Sequence, residues 1–261
     1  MASTSPGAHT ERERQILRAL SPTTALSVNA LARLTGVSGV TIRRDLASLA
    51  AEGLVTRVHG GALRTPLRGA PQPISLRRTE DLEAKRVLAR ATAALIEDGE
   101  SVIIDNGTTC ELVAAELVGR DIRVLCLSLS AAVTLASTPG PIVSVPGGAV
   151  ETDTLAMLTT PAVDAVRRFR ADVGVLGACA TSLASGLTCT EDYDATLKAA
   201  IITSSARRLM PATPRKLTRS STYRFGDLAD LDALLTTSEV DGETVTELRE
   251  AGLDVELIDV V

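Results

Sequence analysis

The chain has 261 residues, of which 45 % are hydrophobic, 23 % charged and only 2 % aromatic. This balance is typical of a globular protein and excludes a disordered one, and no apolar run reaches the roughly 18 residues that a membrane span needs. The net charge of −5 is uneven: residues 1–65 hold eight Arg against four Asp or Glu, which leaves them at +4 and the remainder at −9. A basic segment joined to an acidic body is expected of a DNA-binding module attached to a domain with another task.

The first 64 residues predict a short arm followed by a helical module. Residues 1–10 are small and polar, lack the apolar stretch of a secretion signal, and are predicted to be a disordered arm of a cytoplasmic protein. The apolar spacing in residues 11–64 predicts three helices and then a two-stranded ribbon. The predicted ranges are Glu11–Leu20, Val28–Leu34 and Ser38–Ala51 for the helices and Leu54–Leu63 for the ribbon.

The third predicted helix carries two adjacent arginines. Turning Ile42, Leu46 and Leu49 inward, at spacings of four and three, leaves Arg43 and Arg44 outside. Such a pair could simply be a solvated helix face. A tight turn before it and a basic ribbon after it instead indicate a winged helix-turn-helix domain over residues 11–64. The candidate contacts to double-stranded DNA are Ser38 (also a candidate N-cap), Gly39, Thr41, Arg43, Arg44, Arg57 and His59.

Residues 65–75 include three prolines and a glycine and are predicted to be a linker. From residue 76 to 261, short apolar runs alternate with helical patterns, which predicts an α/β fold with a mostly parallel sheet covered on both faces. The predicted strands are Ser101–Ile104, Val124–Leu127, Ile142–Val145, Val173–Leu176, Leu231–Leu235 and Val255–Val260. The predicted helices are Thr79–Glu97, Cys110–Leu117, Ala131–Ala136, Pro161–Phe169, Asp192–Leu209 and Gly242–Ala251.

Ligands of such sheets bind beyond the carboxyl ends of the strands, where this chain places small, polar and glycine-bearing loops. Hydroxyls and closely approaching backbone amides are suited to an anion, although a single such loop could equally be a cap or a turn. The candidate effector-binding residues in these loops are Asp105, Gly107, Thr108, Thr109, Ser128, Ser130, Gly147 and Gly148.

Three further candidates lie outside those loops. Lys216 follows Pro214-Arg215 where the chain could meet a phosphate, whereas Lys198 is either a ligand-binding residue or a solvent-facing helix position. Glu191, with Asp192 and Asp194, could bind sugar hydroxyls or could compensate the dipole of the following helix.

The four cysteines, Cys110, Cys126, Cys179 and Cys189, show no CxxC spacing and no neighbouring histidine. They are predicted to be free thiols, mostly buried. We therefore expect no metal, no cofactor and no catalytic cysteine.

Residues Ser38–Leu46 and Arg57–Ala62 resemble the DNA-binding end of the DeoR family of bacterial transcriptional regulators. Further residues resemble that family's sensor domain, namely Asp105-x-Gly107-Thr108-Thr109, Gly147-Gly148, Gly186-Leu187-Thr188 and Lys216. The resemblance implies a sensor with a ribose-5-phosphate isomerase-like fold, a phosphorylated sugar or similar anionic metabolite as effector, and a homo-oligomeric repressor of carbohydrate-use genes.

The chain departs from the family at two places. Gly177-Ala178-Cys179-Ala180 stands where the family often has Gly-Ala-Asp-Gly, and Thr213-Pro214-Arg215-Lys216 keeps only the lysine of Asp-Ser-Ser-Lys. Two alternatives therefore stay open beside the sensor: a second domain that only assembles the oligomer, and a sugar-phosphate isomerase-like enzyme. The enzyme would need a positioned general base, for which Glu191 is the candidate.

Overall fold

The computed structural model describes residues 11–21, 24–51, 54–64 and 74–260. The chain divides into two compact units, Met1–Pro73 and Ile74–Val261. The predicted arm and residues 65–73 of the predicted linker lie outside the described residues. Residues 74 and 75, which we assigned to the linker, already belong to a helix.

The first unit contains three helices and a small antiparallel sheet. Its elements are α1 (Glu11–Ala19), β1 (Leu26–Ser27), α2 (Val28–Thr35), α3 (Gly39–Ala51), β2 (Val55–Val58) and β3 (Gly61–Arg64). The strands lie in the order β1-β3-β2, and the apolar faces of the helices meet around Ile16, Leu31, Ile42, Leu46 and Leu49. The winged helix-turn-helix prediction is confirmed.

Strand β1 was not predicted, because two residues are too short to show an alternating pattern. It pairs with β3 through Leu26 and Ala62 and through Ser27 and Gly61. A Cβ atom at Gly61 would lie 2.2 Å from the carbonyl oxygen of Leu26. Glycine is therefore required for this close approach of the two backbones.

The second unit alternates strands and helices. Its helices are α4 (Ile74–Thr79), α5 (Leu82–Ala94), α6 (Thr108–Glu116), α7 (Leu129–Ala136), α8 (Thr160–Arg168), α9 (Asp192–Ser204) and α10 (Gly242–Glu250). Its first strands are β4 (Ser101–Ile104), β5 (Arg123–Cys126), β6 (Ile142–Ser144) and β7 (Ala171–Val175). The later strands are β8 (Ala180–Ser182), β9 (Gly186–Cys189), β10 (Ser205–Pro211), β11 (Tyr223–Gly226), β12 (Ala233–Thr237) and β13 (Val255–Ile258).

Seven of these strands form one parallel sheet in the order β13-β12-β10-β7-β4-β5-β6. Apolar clusters pack on both of its faces, so the predicted α/β architecture is confirmed. From β4 the chain proceeds to β5 and β6 on one side, and it returns to β7 on the other. The carboxyl ends of β4 and β7 therefore flank the point at which the strand order reverses, where α/β sheets open a crevice for ligands.

Two helix predictions were wrong. The predicted helix Asp192–Leu209 ends at Ser204, and the chain passes directly into β10, because Ser205 has extended backbone angles (φ −114°, ψ 137°). No Gly or Pro marks that change, so the local pattern shows no boundary. The predicted helix Thr79–Glu97 is shorter in the structure, where α5 begins at Leu82 and ends at Ala94. Thr79 instead ends α4, and Asp81, between the two helices, has a left-handed φ of 53°.

A second sheet of the same unit was not predicted. Strands β11, β9 and β8 form an antiparallel sheet of three short strands, and its apolar residues are too few to show a period. Within the described ranges, no helix combines the length and the apolarity that crossing a bilayer requires.

Candidate functional site

The start of α3 is held by its own side chains. The Ser38 hydroxyl accepts a hydrogen bond from the Thr41 amide at 3.2 Å and lies 3.0 Å from the Thr41 hydroxyl. Ser27 caps α2 in the same way, accepting from the Ala30 amide at 3.1 Å. These bonds satisfy amides that the first turn of a helix leaves unpaired, so the turn between α2 and α3 has a defined geometry.

The predicted DNA contacts lie at the surface. Ser38, Arg43, Arg44, Arg57 and His59 are exposed, whereas Gly39 and Thr41 are half-buried. Within the described residues, neither Arg43 nor Arg44 forms an ion pair. Both guanidinium groups are therefore available for phosphate oxygens or base edges.

One residue that positions α3 was missed by the sequence reasoning. Asp45 is buried, at 5 % exposure, and accepts two hydrogen bonds from the Arg12 guanidinium, at 2.6 and 3.0 Å. The hydrogen bond and the charge of Asp45 raise the pKa of Arg12. This paired contact ties α3 to α1. A charged residue on the apolar face that includes Ile42 and Leu46 was the sequence signal for it.

In the second unit, Asp105 follows β4 at the reversal of strand order. Its carboxylate is fully buried and accepts hydrogen bonds from the Gly177 amide at 2.8 Å, from the Asn106 amide at 2.7 Å and from the Lys198 ammonium. Lys198, at 1 % exposure, also lies 3.5 Å from a carboxylate oxygen of Asp194. This buried group joins the ends of β4 and β7 to α9.

Charge neutralisation accounts for a buried lysine at this place. Burial alone lowers the pKa of Lys198, but the charges of Asp105 and Asp194 raise it well above its ordinary value. Lys198 is therefore not the solvent-facing helix position that its spacing also allowed. Asp105 and Lys198 bind each other, and neither is open to solvent.

The loop after β4 leads into the N-terminus of α6. Gly107 precedes that helix with a φ of +112°, which favours glycine. Thr108 and Thr109 form its first turn and are buried, and the Thr108 hydroxyl lies 3.4 Å from the carbonyl oxygen of Arg77. The unpaired amides of a helix start are a suitable partner for an anion.

The two serines after β5 are linked to this helix. The Ser128 and Ser130 hydroxyls lie 2.8 Å apart, and Ser130 donates to a carboxylate oxygen of Glu111 at 2.5 Å. Their hydroxyls thus bind each other and α6. Glu111 was not among the predicted site residues.

The remaining loop candidates stand apart from these contacts. Gly147, Gly148 and Glu191 are exposed. Within the described part of the chain, none of the three forms a hydrogen bond with Asp105, Lys198 or Lys216. Glu191 precedes α9, but its side chain does not cap that helix.

Lys216 lies beyond the carboxyl end of β10, in a single 3-10 turn at Pro214–Lys216. It is half-buried, and its ammonium donates to the carbonyl oxygen of Ala178 at 2.6 Å. Burial lowers the pKa of Lys216 to about 8; the positive charges of Arg77 and Lys85 act in the same direction. The sheet edge therefore concentrates positive charge in a unit that is acidic as a whole.

The thiols nearby are not activated. Burial raises the pKa of Cys126 to about 12 and raises the pKa of Cys110, Cys179 and Cys189 as well. Since the thiolate is the nucleophile, these residues are unreactive at neutral pH.

Two family models match the chain. Residues 12–65 match a DeoR-like helix-turn-helix domain, and residues 80–238 match a DeoR C-terminal sensor domain. The first match lies within the first unit and the second match within the second unit.

Proteins similar to this chain over nearly their whole length are transcriptional regulators. The HTH-type transcriptional regulator GlpR of Haloferax volcanii is 30 % identical, with 94 % of this chain and 96 % of the relative covered. A glycerol-3-phosphate regulon repressor of Haemophilus influenzae is 32 % identical, with 92 % and 93 % covered. The match to the solved structure of ribose 5-phosphate isomerase A of Methanocaldococcus jannaschii covers 53 % of this chain and 55 % of that protein, at 14 % identity and a TM-score of 0.40.

Proposed function

This chain belongs to the DeoR family of DNA-binding transcriptional regulators, and we propose that it represses carbohydrate-use genes until a phosphorylated sugar or a similar anionic metabolite releases it. Residues 11–64 bind a double-stranded DNA operator, and residues 76–261 bind the effector and assemble the homo-oligomer. A repressor acts where the chromosome lies, so the proposal places the chain in the cytoplasm.

The observation that carries the DNA-binding half is the pair of exposed arginines on α3. Arg43 and Arg44 project from a helix that Ser38 caps and that the Arg12–Asp45 ion pair holds in place. A rigid helix with free guanidinium groups suits the major groove. We propose that Ser38, Gly39, Thr41, Arg57 and His59 add contacts to the backbone or to bases.

The effector half of the proposal is supported by the charge of the sheet edge. The unit beyond residue 65 carries −9, which repels anions at long range, yet Lys216, beyond β10, and the N-terminus of α6, beyond β4, lie at the same edge of the sheet. An anion would offset their charge. We propose that Gly107, Thr108, Thr109 and Lys216 contact the effector, with Asp105 and Lys198 forming the buried base of the site.

The remaining candidates have weaker support. Ser128 and Ser130 can contact the effector only by exchanging their present hydrogen bonds. Gly147, Gly148 and Glu191 would take part through the non-phosphorylated portion of the ligand, because they lie outside the contacts of the cationic edge. An isomerase would need a general base that reaches its substrate. Asp105 is fully buried and paired with Lys198, and Glu191, the candidate base, is exposed and forms no hydrogen bond with Asp105, Lys198 or Lys216. We therefore favour a sensor over an enzyme.

The proposal is tested by a DNA-release titration. Operator fragments isolated by binding to the full chain are displaced with a panel of phosphorylated sugars and glycerol 3-phosphate, using the unphosphorylated compounds as controls. We expect one phosphorylated compound to release the DNA, and the double variant Lys216→Ala with Thr108→Val to need at least tenfold more of it.

Two results would contradict the proposal in different ways. Unchanged release from the double variant would place the effector elsewhere. If the parent chain binds its operator and no anionic metabolite alters that binding, the second unit is an assembly domain without a sensing role.

A further inference from the structure

The half-buried Arg77 has no acidic partner among the described residues. Arg77, in α4, is half-buried, and its guanidinium forms no hydrogen bond or ion pair with any other described residue. Its neighbours differ in this respect: Arg78 lies 3.7 Å from a carboxylate oxygen of Glu111, and Arg215 pairs with Glu80. The donors of such a guanidinium are free for water or, with stronger hydrogen bonds, for an anion.

The guanidinium of Arg77 lies at the N-terminus of α6. One of its terminal nitrogens is 3.3 Å from the position that a Cβ atom would occupy on Gly107. The backbone beneath it is fixed from two directions, because the carbonyl oxygen of Arg77 accepts hydrogen bonds from the Lys85 ammonium and, at 3.4 Å, from the Thr108 hydroxyl. Arg77 is therefore positioned by α5 and by the helix start that it faces.

Lys85 acts as the positioning residue. It is 3 % exposed, and its ammonium also donates to the carbonyl oxygen of Glu80 at 2.7 Å, so it binds the carbonyl groups that α4 leaves unpaired at its end. The chain contains only three lysines among its 27 basic residues, Lys85, Lys198 and Lys216. All three lie at this edge of the second unit, whereas the other basic positions are arginines.

Lys216 brings a second positive charge to the same place. Arg77 lies near enough for its charge to act on the Lys216 ammonium, and the hydrogen bond of Lys216 is to a carbonyl oxygen rather than to a carboxylate. The positive charges of Arg77 and Lys216 repel each other. A doubly negative ligand group between them would be attracted to both, and this attraction would outweigh the repulsion.

Two threonine hydroxyls at this edge also lack partners. The hydroxyl of Thr213, three residues before Lys216, is fully buried and makes no hydrogen bond within the described residues. A buried hydroxyl without a partner is uncommon in native proteins, and a ligand oxygen is one explanation for it. Thr109, in the first turn of α6, is 6 % exposed, and its hydroxyl, which is not itself fully buried, has no partner among the described residues either.

We propose that Arg77 is a phosphate-binding residue of the effector site, and that its guanidinium, the Lys216 ammonium and the first amides of α6 together hold the phosphate group of a phosphate monoester. The inference rests on the proposed function and specifies the chemical class of the effector. A planar guanidinium can donate two parallel hydrogen bonds to phosphate oxygens. A neutral sugar would leave both cations unpaired and is excluded as a tight ligand.

The location of Arg77 in the chain connects phosphate binding to the control of DNA binding. Helix α4 is the first element of the second unit, and residues 65–73 connect it to the DNA-binding unit. Phosphate bound at Arg77 stabilises one arrangement of α4 at the start of that connection. A ligand regulates only through such a difference in affinity between arrangements.

The test uses the full chain, with inorganic phosphate as a probe of the phosphate subsite and a panel of glycerol 3-phosphate and sugar phosphates as probes of the whole site. Binding is measured by calorimetry and by the ligand-dependent rise in Tm at constant ionic strength. The variants are Arg77→Ala, Arg77→Lys and, as a matched control for charge, Arg86→Ala, which removes an exposed arginine of α5. Circular dichroism without ligand confirms that each variant folds.

We expect the parent and Arg86→Ala to bind phosphate and the best phosphorylated compound equally well. Arg77→Ala should lose at least tenfold in affinity for both, and Arg77→Lys should recover part of that loss, because lysine keeps the charge but not the paired donors. If the parent binds a phosphorylated compound and Arg77→Ala binds it equally well, the inference is wrong and the proposed function stands. If the parent binds neither phosphate nor any member of the panel, both the inference and the sensing role fail.

Discussion

At the scale of single residues, Arg43 and Arg44 are expected to supply much of the affinity for DNA. Replacing both with alanine should weaken operator binding by about 2–5 kcal/mol if one contacts a base and the other a phosphate. A salt titration of the affinity separates these roles, since losing a phosphate contact reduces the slope against salt.

The matched control removes the same charge from the other unit. Arg86 and Arg90 are exposed on α5, and the variant with both replaced by alanine should bind the operator like the parent. An Arg43, Arg44 double variant that retained the parent's affinity at equal salt would show that α3 does not enter the groove.

Lys216 gives the effector site a dependence on pH. Its pKa is lowered to about 8 in the folded chain from an ordinary value of 10.5, so the free site loses this positive charge as the pH rises through 8. A phosphate monoester is doubly charged throughout that range. We therefore expect affinity for the anion to fall above pH 8, by up to about tenfold per pH unit, with proton uptake on binding.

The groups near the Lys216 ammonium include Arg77, Lys85, Cys179 and Cys110. Burial raises the pKa of both thiols, which stay neutral in this range, and lowers the pKa of Lys85. In Lys216→Arg the charge persists to higher pH, so calorimetry at pH 7, 8 and 9 should give a flatter profile than in the parent. Equal pH profiles for the two proteins would rule out Lys216 as the titrating group.

At the scale of secondary-structure elements, the Asp105–Lys198 pair joins the reversal point of the sheet to α9. The two residues are 93 positions apart in sequence, and the exposed fraction is 0 % for Asp105 and 1 % for Lys198. Removing one partner leaves the other charge buried, so Asp105→Ala should lower the free energy of unfolding by about 3–5 kcal/mol. Urea denaturation provides this measurement.

A combined replacement distinguishes buried charges from a general loss of packing. Lys198 is shared by Asp105 and by the buried Asp194, so Asp105→Leu, Lys198→Met and Asp194→Asn together remove all three charges. We expect this triple variant to be more stable than Asp105→Ala, because no charge is left buried without a partner. If it were instead destabilised by the sum of the three single effects, the residues would not be coupled.

At the scale of the whole molecule, one winged domain reads too few base pairs to select a site in a genome. We therefore expect a homo-oligomer that places at least two DNA-binding units on a repeated operator. Sedimentation velocity at micromolar concentration should show the oligomer with and without DNA. Monomers under both conditions, together with specific binding to a single half-site, would contradict this expectation.

Much of the architecture was accessible from local sequence pattern. The helix-turn-helix depends on contacts among residues close in sequence, and the buried parallel strands are short apolar runs between helices, so periodicity alone indicated both. The loops that follow β4, β5, β6 and β7 could be placed at one edge because parallel strands end on the same side. Lys216 was identified from its place after Pro214-Arg215, although the strand before it, β10, was predicted as the end of a helix.

The partner of a distant pair carried no local signal, even where a charged residue on an apolar face, as at Asp45, indicated that a partner was needed. Asp45 meets Arg12 across 33 positions, Lys198 meets Asp105 across 93, and Arg77 reaches the helix start at Gly107. The change from α9 to β10 at Ser205 likewise follows from pairing with β7 rather than from any turn residue. Propensity and period describe what a segment can form, whereas the partner that decides burial and charge is set by packing between segments far apart in the chain.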